Sequence, residues 1–265
     1  MLGLGSPISS DTTKGNLYKN GYCLAFDGTN DSVDLASGTL MTALASYPFH
    51  GAGTISLWFQ MTDAVASNGM LFDLTGDADN RIYIQYKQSN DTISCVYKGQ
   101  GNTKTCSLDP ADSATLEGDD KWHHIAFTWS ESGSAIAYFD STNATNSKTL
   151  GSTFRWAEGV DAAADGAVLK VGESSAGTPD YQGYIDNITL YSDQKTADEV
   201  ALIYNDGTPQ VPTFQNQICH WAFEEGSTTT TWGTGTEAED LTYSATISGA
   251  AFVALQSVNF SVDET

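Results

Sequence analysis

The sequence predicts an all-β fold, a two-sheet antiparallel sandwich of jelly-roll form, carrying one short helix near residues 196–205. Three observations predict it. Apolar and polar residues alternate strictly over many short runs, clusters of Gly, Asn, Asp and Ser separate those runs, and the spacing turns helical in a single segment.

The alternation is clearest in Thr54–Met61, where Ile55, Leu57, Phe59 and Met61 share one face. It recurs in Arg81–Lys87 with Ile82, Ile84 and Tyr86, and in 123–129 with His123, Ile125, Phe127 and Trp129. Ile136 and Tyr138, Leu169 and Val171, and the neighbourhood of Ile185 follow the same period. Strands of this kind bury one face, and many of them with turn punctuation make a sandwich or jelly roll. The helical segment starts at Thr196-Ala197-Asp198-Glu199, a capping box in which Thr196 caps the helix and Glu199 reaches back. Val200, Ile203 and Tyr204 follow at helical spacing, and Gly207 is the expected terminator.

At 265 residues the chain is long enough to bury a full sandwich core. Residues 1–20, small and polar, read as an arm, 21–207 as the sandwich, and 208–217 as a linker whose two prolines exclude helix. Residues 218–265, with apolar runs around Ile247, Phe252 and Val258, are too few for a second domain and are expected to complete the first. Against 33 Asp and Glu stand 11 Lys and Arg, a net charge of −22. Nucleic acid and anionic membrane surfaces are thereby excluded as partners, since both require clustered cations. The opening MLGLGSPISSDTTKG lacks the basic and apolar regions of a signal peptide, and no stretch has the length of a membrane span. Of the four cysteines, Cys95 and Cys106 flank the turn at Gly99-Gln100-Gly101-Asn102 and face each other across a hairpin. A disulfide and a pair of buried thiols are both open there; without an export signal the thiols are favoured.

Three segments resemble laminin-G-like and pentraxin-like domains of the concanavalin-A-like lectin/glucanase class. Leu24-Ala25-Phe26-Asp27-Gly28-Thr29-Asn30-Asp31-Ser32-Val33 is similar to their opening strand and turn, and Lys121-Trp122-His123-His124-Ile125-Ala126 to their Trp-His-His strand. Gly183-Tyr184-Ile185-Asp186-Asn187-Ile188-Thr189-Leu190-Tyr191, followed by the capped helix, is similar to their ending. His220-Trp221-Ala222-Phe223-Glu224-Glu225-Gly226 resembles the strand that normally begins such domains, here displaced to the end. Circular permutation and a truncated second repeat both account for that order, and permutation is preferred because jelly-roll termini are neighbours. The layout, from MLGLG to the YNDGTP that leaves the helix, also resembles structural proteins of marine tailed phages.

The resemblance implies a calcium site near the opening strand and the Gly-x-Ile-Asp aspartate, which selects Asp186, with Asp27 and Asp31 as further oxygen donors. The competing reading gives Asp27 the shaping of its turn and Asp186 the capping of a backbone amide. For saccharides, Trp58 and Tyr83 alternate out of phase with the apolar faces of their strands. They are expected to stand outward, an aromatic ring stacking on a sugar while Arg81 and Gln85 bond its hydroxyls. The preferred reading makes them packing residues covered by a loop or a second subunit. Related hydrolases carry an acidic cluster on one strand; Glu224-Glu225 point to opposite faces and cannot form it, and no Gly-x-Ser-x-Gly elbow or His-Glu-x-x-His helix occurs. His123 and His124 are read as structural.

The functional expectation is therefore a non-catalytic virion structural protein of a tailed phage, a capsid decoration or tail-associated subunit. Such a subunit is assembled in the host cytoplasm, with copies of itself and other virion proteins as partners. The alternative is a carbohydrate-binding module or adhesin that recognises host-surface glycans.

Overall fold

The computed structural model describes residues 21–36, 38–45, 51–62, 67–77, 79–99, 102–108, 116–131, 134–143, 148–149, 156, 167–207, 215–223 and 246–254. The predicted arm at 1–20 and most of the predicted linker lie outside these. In chain order the strands are β1 (Tyr22–Asp27), β2 (Ser32–Asp34), β3 (Gly53–Met61), β4 (Gly69–Thr75), β5 (Arg81–Lys87), β6 (Thr92–Gly99), β7 (Asn102–Leu108) and β8 (His123–Trp129). They continue with β9 (Ser134–Phe139), β10 (Thr142–Asn143), β11 (Lys148–Thr149), β12 (Val168–Val171), β13 (Gln182–Tyr191), β14 (Gln217–Trp221), β15 (Thr246–Ser248) and β16 (Ala251–Ala254).

These strands form two antiparallel sheets. The first has the order β10-β9-β8-β3-β13-β1-β16, with β11 pairing β9 and β14 pairing β13. The second has the order β15-β2-β12-β4-β5-β6-β7. The inward residues predicted from alternation, Ile55, Leu57, Phe59 and Met61 on β3 and Ile82, Ile84 and Tyr86 on β5, meet in one core between the sheets. β9 behaves differently. Ala135, Ala137 and Phe139 point inward, whereas Ile136 and Tyr138 lie on the outer face with Ala126 and Val200.

The C-terminal segments enter the same two sheets. β14 pairs β13, β15 pairs β2 and β16 pairs β1. Cys219, Trp221 and Phe223 are buried in the common core.

Helix α1 (Gly38–Ala45) was not anticipated; it drops Leu40 and Leu44, one turn apart, into the core. Helix α2 (Ala197–Tyr204) has the predicted capping box. It ends one turn earlier than Gly207, because Asn205 takes the left-handed conformation at φ 47° and its N–H bonds the Ala201 carbonyl. α2 lies over the outer face of the first sheet, with Val200 against Ala126 and Tyr138. No helix among the described residues is long and apolar enough to cross a membrane.

Candidate functional site

Tyr83, Arg81 and Gln85 stand together on the outer face of the second sheet, because Ile82, Ile84 and Tyr86 between them fill the core. Cross-strand neighbours complete the surface: Tyr83 lies between Asp73 on β4 and Val96 on β6, and Gln85 lies opposite Ser94. Gln85, Ser94 and Val96 are buried and form a floor, while Arg81, Tyr83, Lys87 and Lys98 are half-buried around it.

Arg81 is held rigidly. Its Nε and Nη2 donate to the two oxygens of Asp73 at 2.6 and 2.7 Å, and Nη2 also reaches Ser174 Oγ at 3.2 Å. Asp73 is fully buried and further accepts from Ser175 N at 2.6 Å and Thr75 Oγ1 at 2.8 Å. The guanidinium lies 4.6 Å from the centroid of the Tyr83 ring. Lys87 donates to the Gln85 side-chain oxygen. Burial, and after it the Arg81 charge, lowers the Lys87 pKa, while burial raises that of Tyr83.

Trp58 does not belong to this group. It lies on the first sheet, so its outward side chain faces away from Tyr83 on the opposite side of the sandwich. There it is 2% exposed, stacked on Tyr204 of α2 at 5.5 Å and 12°, with His124 at 5.1 Å. The expectation that Trp58 offers a ring to a sugar is corrected: the helix covers it.

The three predicted calcium ligands are split as well. Asp27 Oδ1 accepts Thr29 N at 2.7 Å, and Asp31 Oδ2 accepts Asp27 N at 2.8 Å, so these two shape the turn after β1. Asp31 also backs onto the β15–β16 turn, where a Cβ on Gly249 (φ 79°) would meet its Oδ1 at 2.0 Å. Asp186 stands opposite Trp58, whereas Asp27 stands opposite Gln182, four residues and ~13 Å away along β13. Its two oxygens accept the Asn187 N and Nδ2, both at 2.9 Å, at an irregularity where Asn187 has φ 49°. Asp180 is the acid that does approach the turn: burial raises the pKa of Asp31 and Asp180, and the Asp27 charge adds to both shifts. Among the described residues no group of three His, Cys, Asp or Glu side chains is placed to hold a metal ion. The predicted set does not fit one calcium.

The histidines fall into two kinds. His123 is clamped between Asp119 and Asp140, each 2.7 Å from a ring nitrogen. Burial works to lower its pKa, but the hydrogen bonds and charges of the two carboxylates outweigh that and hold it at about 9. His124 (Nε2 to Ser56 Oγ, 2.8 Å) and His220 (Nδ1 to Thr189 Oγ1, 2.7 Å) are almost fully buried, and burial pulls both down to about 4. Cys95 and Cys106 face each other in register on β6 and β7 as buried thiols not joined by a disulfide, and Cys106 Sγ donates to the Ala135 carbonyl.

Two antiparallel sheets face to face, one of them bringing aromatic, amide and cationic side chains together on its outer face, define a jelly-roll sandwich. The chain belongs to the concanavalin A-like lectin/glucanase superfamily: its laminin-G-type family model matches residues 27–201. No curated protein sequence matches the chain. Among solved structures it is similar to a putative carbohydrate binding protein from Bacteroides ovatus, at 10% identity and TM-score 0.57 over 88% of this chain and 60% of that one. It is also similar to the CBM40 of the Ruminococcus gnavus IT-sialidase (11% identity, TM-score 0.53, 70% and 98% of the two chains). A third similar structure is the binding domain of botulinum neurotoxin serotype G (13%, 0.52, 71% and 43%). At these identities the likeness is one of fold, and the chain spans about 60% of the Bacteroides protein.

Proposed function

We propose that the chain is a non-catalytic saccharide-binding module that uses the outer face of its second sheet. The observation that carries this reading is Tyr83, a half-buried ring held between the fixed Arg81 guanidinium and the Gln85 amide over a floor of Val96 and Ser94. A pyranose presents an apolar face to such a ring and hydroxyls to donors at its edge. The fold is consistent with it, since the R. gnavus CBM40 has been seen bound to α2,3-sialyllactose. The carboxylate on this face, Asp73, already accepts four hydrogen bonds, which leaves it unsuited to the paired-acid chemistry of glycoside hydrolysis. The virion-subunit reading keeps the layout of the sequence in its favour and draws no support from this geometry.

A glycan array probed with the wild-type chain and with Tyr83→Ala tests the proposal. Binding to a defined set of saccharides is expected, lost on Tyr83→Ala while the melting temperature stays within a few degrees. A blank array with folded wild-type protein overturns it.

A further inference from the structure

The chemistry of the Tyr83 face specifies more than a sugar. Strands β5 and β6 hold Arg81, Lys87 and Lys98, three of the chain's eleven cations, and neither strand contains an acid although the chain has 33. Arg81 and Lys87 sit at the two ends of β5, six residues and ~20 Å apart at the backbone. Both side chains nevertheless lean toward the middle of the strand, Arg81 over the Tyr83 ring and Lys87 onto the Gln85 amide.

The hydrogen-bonding inventory is one-sided. Asp73 takes Nε and Nη2 of Arg81, and Nη1 is engaged by none of its contacts. Lys87 occupies one of the two lone pairs of the Gln85 oxygen, the amide keeps its N–H groups, and Lys87 retains two further protons. Lys98 opposes Arg81 across the strands and pairs with the exposed Asp79 at 3.3 Å. What remains at the centre of β5 is a set of donors and positive charge, fixed in place before any ligand arrives.

We infer that the ligand is an acidic saccharide whose carboxylate or sulfate sits between Arg81 and Lys87 beside the Tyr83 ring. This rests on the saccharide-binding reading and narrows it. Asp73 already balances Arg81, so a neutral sugar leaves Lys87 without a counter-charge, whereas an anionic one supplies it and presents an acceptor to the remaining Nη1 of Arg81. The net charge of −22 repels polyanions at long range, but screening confines that to about 8 Å at physiological salt, inside which the local cluster dominates.

Isothermal titration of the full chain with oligogalacturonate, sulfated dextran oligosaccharide and unmodified dextran oligosaccharide of matched length tests the inference. Each is measured at about 50 mM and about 150 mM salt. At least one acidic probe is expected to bind about tenfold or more tightly than the neutral one, and to weaken as salt rises. Which acidic probe binds separates the carboxylate from the sulfate source. Lys87→Glu is expected to cost about tenfold for the acidic probe with no change for the neutral one, and Lys87→Arg to retain binding. Neutral and acidic probes binding alike overturns the acidic assignment and leaves the saccharide reading standing, whereas no binding by any of the three, with a blank glycan array, removes both. Acidic binding indifferent to both Lys87→Glu and Tyr83→Ala, in variants that melt like the wild type, places the site elsewhere and also overturns the inference.

Discussion

Asp73 is where stability and the proposed site are joined, and Asp73→Ala tests that joint. The carboxylate is fully buried and each oxygen accepts twice, from Arg81 Nε and Thr75 Oγ1 on one side and from Arg81 Nη2 and Ser175 N on the other. Removing it strands a guanidinium, a hydroxyl and a backbone N–H. Breaking a buried pair from one side costs about 3–5 kcal/mol. The Arg81 side chain is 26% exposed and can recover some hydration, so the lower end, about 3 kcal/mol, applies. For a chain of this size that is a fall in melting temperature of about 6–12 °C. Arg81→Ala alone, and the double variant, complete a cycle by urea denaturation, with an expected coupling of about 1.5–3 kcal/mol. A coupling below about 0.5 kcal/mol, or a melting shift under about 2 °C, refutes the claim that this pair fixes Arg81 and the 173–177 loop to the sheet.

Trp58→Ala serves as the opposite control: it empties a buried site under Tyr204 at a cost of about 3–5 kcal/mol, read by urea denaturation, while saccharide affinity per folded molecule is unchanged. Loss of binding in a folded Trp58→Ala protein contradicts the placement of the site. Stability is expected to peak near pH 6.5. His124 and His220 have native pKa values of about 4, below their unfolded values, so the unfolded chain takes up protons first and stability falls as pH drops from 6.5 toward 4. His123, held at about 9, contributes fully below pH 6.5 and loses its contribution as pH rises toward 9. Melting curves from pH 4 to 9 display both limbs, and His123→Gln removes the alkaline one. Calcium added to EDTA-treated protein is expected to move the melting temperature by less than about 1 °C, because Asp186 is remote from Asp27 and Asp31; a rise of several degrees shows a site that this geometry does not contain.

Much of the fold was legible because a half-buried strand writes its inward face into the sequence. Ile55, Leu57, Phe59 and Met61, or Ile82, Ile84 and Tyr86, declare both a strand and the side it buries. What period two does not encode is which sheet a strand joins, or what lies over its other face. Trp58 and Tyr83 carry the same local signal, yet β3 and β5 fall in different sheets and α2 covers only the former. Ile136 and Tyr138 were read in the same way as inward strands, but their partner is Val200 on that helix. Asp186 looked like a ligand because its position in the resemblance is sound; the irregularity at Asn187 turns its carboxylate onto its own neighbour, and no residue spacing announces that. Helix α1 left a faint trace, Leu40 and Leu44 one turn apart, in a segment only eight residues long. Lys87 was not singled out in the sequence because its place in the proposed site comes from the lean of a long side chain toward Gln85.

The pairing of β16 with β1 has a consequence for synthesis. Cys23 on β1 bonds the carbonyl of Val253 on β16, 230 residues later. At ordinary translation rates those residues take on the order of ten to fifty seconds to appear. During that interval β1 and β2 each lack the neighbour that finally flanks them, so two bare hydrogen-bonding edges wait side by side on the emerging chain. The sandwich is thus closed last at the place where it began, and whatever guards that pair of edges against a neighbouring copy has to act before Thr246–Ala254 arrive.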